Sequence, residues 1–211
     1  MQPFTTLTSV AVPMLVDNIN TDLICPSGRP GKEITDYKAH FFWRRRLRDD
    51  GSEDPEFILN QPQFHDARIL VTGHNFGCGS SRETAVWALV ACDIRCVIAR
   101  SFAEYFRQNC LHNGVLPLTL PEGNADRVAA VVLATDGQVP ITVDLQRQRI
   151  VLPDGSEIAF ALPEADRICL LEGVDNIGMT LKYEADIVGW ERRMAAEQPW
   201  MQALCDSRLK A

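Results

Sequence analysis

The sequence predicts a single α/β domain with added β-hairpins, and three observations carry that prediction. Strand-like apolar runs alternate with stretches of helical pattern between residues 68 and 134, as in sheets whose parallel strands are joined by helices. Between residues 141 and 162 the pattern changes to short alternating segments, with Asp154-Gly155 as a hairpin turn. No internal repeat or low-complexity linker interrupts the 211 residues, so residues 1–211 read as one domain, long enough to bury a sizeable core.

The elements follow in order. Residues 8–16 are apolar and β-branched and read as a strand. Asp17-Asn18-Ile19-Asn20-Thr21-Asp22 is rich in side chains that bond their own backbone, a turn signature. A short apolar stretch over residues 23–26 leads into residues 27–32, which hold two Gly and one Pro and read as a loop. Residues 35–48 have a helical pattern, with Tyr37, Phe41 and Phe42 near one face. Arg44, Arg45, Arg46 and Arg48 close that stretch before Asp49-Asp50-Gly51. Such a run suits either an anion site or a helix C-terminus. The second reading is favoured, because cations complement the dipole there and Gly stops a helix.

Residues 68–73 read as a buried strand, 82–91 as a helix and 94–99 as a strand. Residues 101–111 read as a helix with Ser101 as N-cap and Glu104 completing a capping box. A strand over 115–120 and a helix over 121–134 follow. Short strands are expected over 141–145, 149–152 and 157–162, then helices over 163–171 and 178–194.

Composition narrows the function. Hydrophobic residues at 46% and charged residues at 23% are ordinary globular values. A net charge of −7 disfavours a general nucleic-acid binder, which needs a basic face. No apolar run reaches the ~18 residues of a membrane span. The first seven residues lack a charged and then apolar secretory pattern, so a cytoplasmic location is expected. The seven cysteines, Cys25, Cys78, Cys92, Cys96, Cys110, Cys169 and Cys205, are odd in number and scattered, which fits a reducing compartment. They form no Cys-x-x-Cys pair, and zinc and iron–sulfur spacings are missing. The four histidines, His40, His65, His74 and His112, form no i,i+4 pair around a Glu. The chain itself is therefore expected to carry no metal.

One stretch carries chemistry: His74-Asn75-Phe76-Gly77-Cys78-Gly79-Ser80-Ser81-Arg82-Glu83, between an expected strand and an expected helix. Two glycines permit a tight turn and close approach of a ligand. A helix N-terminus offers free N–H groups to an anion, and Ser80 with Glu83 suggests a capping box. Arg82 is placed in the first helical turn, where a cation opposes the dipole. That conflict is resolved if Arg82 grips a carboxylate or phosphate, and this reading is favoured over a purely solvated arginine. The stretch is neither a P-loop nor a G-x-G-x-x-G fingerprint. Cys78 reads as a small residue in a tight turn rather than a redox centre. His74 and His112 default to solvent or core positions.

These residues resemble a known family. Asn75 to Glu83, with Trp87-Ala88-Leu89, is similar to the small-subunit family of 3-isopropylmalate dehydratases, the leucine-pathway isomerases of the aconitase superfamily. Asn20-Thr21-Asp22-Leu23-Ile24-Cys25-Pro26 resembles the family's D-T-D-x-I-I-P. Ser101-Phe102-Ala103-Glu104-Tyr105-Phe106, then Asn109 and Asn113-Gly114-Val115-Leu116-Pro117, resembles its S-F-A-x-I-F…N…N-G-L-L-P. Gly173-Val174-Asp175-Asn176-Ile177-Gly178-Met179-Thr180-Leu181 resembles G-x-D-x-I-G-L-T-L. The four matches keep their order over almost the whole chain.

The resemblance implies a swivelling β/β/α domain and a separate large subunit, in a heterodimer or larger assembly. It places a 4Fe–4S cluster in that partner and none in this chain. The implied substrate is a small hydroxy di- or tricarboxylic acid that is dehydrated and rehydrated, with the cluster iron acting as a Lewis acid on the leaving hydroxyl. It implies Ser80 as the base, with Ser81, Arg82 and the adjoining Gly79 at the substrate carboxylate. A serine needs stabilised alkoxide for that task, and backbone N–H groups with Arg82 could supply it. Asp22 matches an active-site aspartate of the superfamily, and it reads equally well as a turn residue satisfying local backbone.

Three departures stand out. Thr84 occupies a family histidine position, Asn20 a family aspartate position, and Ser27-Gly28-Arg29-Pro30 replaces the family's usual K-Q-F-L. That loop region chooses the substrate's substituent in the superfamily, so Arg29 is a substrate-binding candidate favouring a more polar group than isopropyl. Three functions compete: a hydro-lyase small subunit for isopropylmalate or a related alkyl- or methylmalate, a non-catalytic binding or assembly homologue, and a free-standing phosphate or nucleotide binder. The first is favoured. No membrane or nucleic-acid partner is expected.

Overall fold

The computed structural model describes residues 1–33 and 35–200; Cys205 lies outside the described residues. Contacts group the chain into two compact units, residues 1–173 and residues 174–211.

The first unit opens with β1 (Thr6–Ser9) and β2 (Ala11–Met14). The expected strand over 8–16 is thus two strands, and they belong to different sheets. β1 pairs antiparallel with β6 (Ile141–Asp144), whereas β2 pairs parallel with β3 (Ile69–Thr72). Local pattern does not reveal the break, since the pairing partners of the two strands are remote in sequence. β3, β4 (Cys96–Ala99) and β5 (Leu116–Thr119) continue a four-stranded parallel sheet in the order β2-β3-β4-β5. β7 (Arg149–Val151) and β8 (Glu157–Ala159) complete a four-stranded antiparallel sheet, β1-β6-β7-β8. Asp154 and Gly155 turn the chain between them, with the Gly155 N–H donating to the Leu152 carbonyl at 2.9 Å.

Alternation along the buried strands separates two cores. Ile69, Val71, Cys96, Ile98, Leu116 and Leu118 share one core with Val143 and Ile150 of the antiparallel sheet and with α6 (Glu122–Thr135). Leu70, Val97, Val12 and Met14 point into the other, against α4 (Thr84–Ala91) and α5 (Glu104–His112). The layers are antiparallel sheet, parallel sheet and helices, the β/β/α arrangement that the resemblance implies. α7 (Glu164–Glu172) packs on α5 and buries Leu170.

Among the described residues, the connection from β2 to β3 holds three short α-helices, α1 (Thr21–Ile24), α2 (Tyr37–His40) and α3 (Trp43–Arg46), and two single turns of 3-10 helix, Ile58–Asn60 and Pro62–Phe64. The single helix expected over 35–48 is broken at Phe42. Its φ is +47°, its side chain is buried, and its N–H donates to the Ile24 carbonyl at 2.8 Å. Burying this ring overrides the helical pattern. Arg44, Arg45 and Arg46 fall in the last turn of α3, as the dipole reading expects.

The second unit holds α8 (Asn176–Leu181) and α9 (Glu184–Glu197) in place of the single helix expected over 178–194. Asp175 caps α8, its carboxylate accepting from the Gly178 N–H at 2.7 Å. Among the described residues no helix is long and apolar enough to cross a membrane.

Candidate active site

Three loops leave the C-terminal ends of β2, β3 and β4, the edge where open parallel sheets bind ligands. They are zipped together by backbone bonds. The Asn18 N–H donates to the His74 carbonyl at 2.8 Å, the Gly77 N–H to Ile19 at 2.7 Å and the Thr21 N–H to Cys78 at 2.8 Å. On the other side, Phe76 donates to the Ser101 carbonyl and Ala103 to Phe76, each at 3.0 Å. The chain after β3 therefore runs as an irregular strand between its two neighbours.

Side chains finish the zipper. Asp17 accepts from the His74 N–H at 2.6 Å, and Asn75 Nδ2 donates to Asn18 Oδ1 at 2.9 Å. Both asparagines have positive φ, +58° and +55°, a conformation that Asn tolerates better than most residues. Ser101 Oγ accepts from the Asn75 N–H at 2.8 Å. Its hydroxyl is thus spent on a neighbouring loop, and α5 starts at Glu104 with no side-chain cap. The expected Ser101 capping box does not form.

Gly77 and Gly79 make the corner possible. Gly77 has φ +76°, and a Cβ there would lie 2.0 Å from the Phe106 ring. Gly79 has φ +104°. Both lie in the left-handed region that only glycine enters freely. Cys78 between them is part of the tight turn.

The corner brings three of the candidate residues together. Ser80 Oγ accepts from Arg82 Nε at 2.9 Å and from the Arg82 N–H at 3.3 Å. Arg82 Nη2 reaches Asp22 Oδ1 at 3.3 Å. The Ser80–Glu83 capping box is absent too, because the Ser80 hydroxyl faces Arg82 and α4 begins only at Thr84. Arg82 consequently lies before the helix rather than in its first turn. Its charge is met by Asp22, not set against the dipole. With side chains 62% and 72% exposed, the pair is open to solvent and to a competing anion.

The remaining candidates sit around this core. Gly79 is beside Thr21 Oγ1, which accepts from the Ser80 N–H at 2.9 Å. Ser81 is exposed, and its carbonyl accepts from Asn109 Nδ2 at 3.0 Å. Asn109 is held in turn by α5, and its own carbonyl accepts from Asn113 Nδ2 at 2.8 Å. Burial pushes the Cys25 thiol up, opposed by the charge of Arg82. Arg29 is not brought to the hydroxyl. Its Nη1 donates to the Ala39 carbonyl, and it lines a cavity of about 580 Å3 with Trp43, Arg44 and Arg48. His74 and His112 lie at the surface.

Sequence reasoning does not single out Thr21, Asn18, Asn75 or Asn109 as site residues. Asn18 and Asn75 are marked only by their tolerance of positive φ. Thr21 and Asn109 belong to the matched motifs, but their bonds link segments 59 and 28 residues apart, which local pattern does not disclose. The family departure at Asn20 has a local account. Its Oδ1 accepts from the Leu23 N–H at 2.7 Å and caps α1, a role that aspartate fills equally well. Thr84 is the first residue of α4. Among the described residues no group of three or more His, Cys, Asp or Glu side chains could hold a metal ion. Burial pushes the Cys92 thiol up to about 11 and the Cys96 and Cys110 thiols higher still, so these sulfurs are poor ligands.

Comparison with known proteins matches this geometry to a family. Residues 1–123 match the family described as aconitase C-terminal domain, and residues 126–164 match LeuD_N. Residues 176–203 match the C-terminal domain of the 3-isopropylmalate dehydratase small subunit. A 3-isopropylmalate dehydratase small subunit of Rhodospirillum centenum is 47% identical over 203 residues, covering 95% of this chain and 98% of that one. The protein of the same name from Dinoroseobacter shibae is 44% identical over 207 residues, 95% of this chain and 100% of its own. The crystal structure of 3-isopropylmalate dehydratase (leuD) from Methanocaldococcus jannaschii is 25% identical, covers 89% of this chain and 99% of its own, and superposes with a TM-score of 0.57. Shared sequence over nearly its full length and a shared fold mean that the chain belongs to the family of 3-isopropylmalate dehydratase small subunits, within the aconitase superfamily.

Proposed function

We propose that this chain is the small subunit of a two-subunit hydro-lyase that dehydrates and rehydrates a hydroxy dicarboxylic acid of the isopropylmalate type. It works only with a large, cluster-bearing subunit, and residues 1–211 act as one swivelling domain. The observation that carries this reading is one hydroxyl gripped by two donors of one arginine, Ser80 Oγ with the Nε and N–H of Arg82.

The reaction takes a proton from a carbon next to a carboxylate. A serine hydroxyl is far too weak a base unless its alkoxide is stabilised. Two hydrogen bonds, one from a guanidinium, favour that anion. The remaining guanidinium N–H groups suit a substrate carboxylate, geometrically as well as by charge. Asp22 holds Arg82 in place until substrate arrives, and an exposed pair of this kind yields readily. The Ser81 hydroxyl and the bare Gly79 backbone complete the surface a carboxylate would meet. The cluster, when bound in the large subunit, supplies Lewis acidity at the leaving hydroxyl. None of the six described cysteines is in a disulfide, which supports a reducing, cytoplasmic setting.

A second substrate reading has its own observation. Residues 27–30 offer no large apolar side chain, so a related alkyl- or methylmalate with a smaller or more polar substituent fits that loop better than isopropyl. Arg29 meets such a group only by leaving the Ala39 carbonyl.

The test combines this chain with a cluster-loaded large subunit and follows formation of the unsaturated acid. Dehydration that requires both subunits supports the proposal, and the ranking of kcat/KM for isopropylmalate against methylmalate chooses the substrate. Full activity of this chain alone, without a cluster, or a cluster-loaded pair inert toward both acids, contradicts it.

A further inference from the structure

We infer that Thr21 is a positioning residue that sets the place of the Ser80 hydroxyl, an inference that rests on Ser80 acting in proton transfer. Gly77 and Gly79 give the corner unusual backbone freedom, with φ of +76° and +104°. A corner so free needs an anchor if one hydroxyl is to stay aligned with a reacting carbon, because catalysis is lost steeply with small misplacements. Thr21 supplies two anchoring bonds. Its N–H donates to the Cys78 carbonyl at 2.8 Å, and its Oγ1 accepts from the Ser80 N–H at 2.9 Å. The two bonds straddle Gly79 and fix the residues on either side of it.

The anchor is itself rigid. Thr21 is only 4% exposed. It is the first residue of α1, whose N-cap Asn20 accepts from the Leu23 N–H at 2.7 Å, and the Cys25 N–H closes onto the Thr21 carbonyl at 2.9 Å. The neighbouring Asp22 holds Arg82. Thr21 and Asp22 thus grip the two ends of the Ser80–Arg82 pair from one helical turn. Gly79 also packs closely on the threonine, since a Cβ at residue 79 would come within 3.1 Å of Oγ1.

The experiment uses the two-subunit holoenzyme carrying Thr21→Val, which keeps the shape and loses the acceptor, and Thr21→Ser, which keeps the acceptor. Thr21→Ala replaces the valine variant if that one does not assemble. Steady-state kinetics are paired with amide hydrogen exchange at Ser80. The valine variant is expected to lose roughly 10- to 100-fold in kcat, with KM changed by less than about 3-fold. Its Ser80 amide should exchange at least about 10-fold faster, and Thr21→Ser should restore both readouts. An unchanged kcat, an unchanged Ser80 exchange rate, or a serine variant as impaired as the valine variant overturns the assignment. If the wild-type holoenzyme does not dehydrate substrate, the proposed function fails instead, and the exchange rate still judges the bond.

Discussion

The parallel sheet and the loops at its C-terminal edge are neighbours on one backbone ladder, but different forces hold them. In β3, Ile69, Leu70 and Val71 are buried on both faces of the sheet, and apolar burial stabilises them at about 25 cal/mol per Å2. A few residues later, the side chains of Asp17, Asn18, Thr21, Ser101 and Asn109 each hold residues 74–81 by one polar bond, beside the backbone bonds of the same loops. Positive φ at Asn75, Gly77 and Gly79 bends the chain there. The strand gains stability from many interchangeable contacts, whereas the corner gains direction from a few that cannot be exchanged. Substitutions in the strand should therefore act on folding, and substitutions in the corner on turnover.

Gly77→Ala is the exception within the corner, because Gly77 packs on the buried Phe106 ring, and it should have the largest effect on stability. It adds a Cβ 2.0 Å from the Phe106 ring at a φ of +76°, and about 4 kcal/mol or more of lost stability is expected in denaturant unfolding. Leu70→Ala tests the strand. The side chain is fully buried, so a loss of about 2–5 kcal/mol is expected, with kcat of the assembled enzyme nearly unchanged. Arg82→Lys tests the corner by removing the planar fork while keeping charge. A fall in kcat/KM of roughly 30- to 100-fold is expected from the lost donor to Ser80 and lost carboxylate geometry, with little change in unfolding midpoint. Asn20→Asp should be the mildest. Both residues cap a helix, so stability should move by less than about 0.5 kcal/mol. A large kinetic effect there would give the family's aspartate a role beyond capping.

The same contrast explains what the sequence discloses. The strands β3, β4 and β5, the helices between them and the Asp154-Gly155 hairpin are legible because local pattern and burial agree. The switch of sheets between Ser9 and Ala11 is not, since β1 finds its partner β6 more than 130 residues away. Phe42 breaks an otherwise helical run because its ring is wanted in the core. Ser80 and Ser101 both imitate N-caps. Each hydroxyl instead serves the corner, one facing Arg82 and the other the Asn75 N–H. The motif residues Ser80, Arg82 and Asp22 are readable through family resemblance, while the bond that orients Ser80 becomes visible only with Thr21 in place.

The most direct measurement is the kcat of the two-subunit enzyme carrying Ser80→Ala, with substrate affinity determined separately at equilibrium. Loss of a proton-transferring group should lower kcat by roughly 1,000-fold or more while affinity stays within about 3-fold. A kcat near that of the unaltered enzyme would contradict the assignment of proton transfer to this corner.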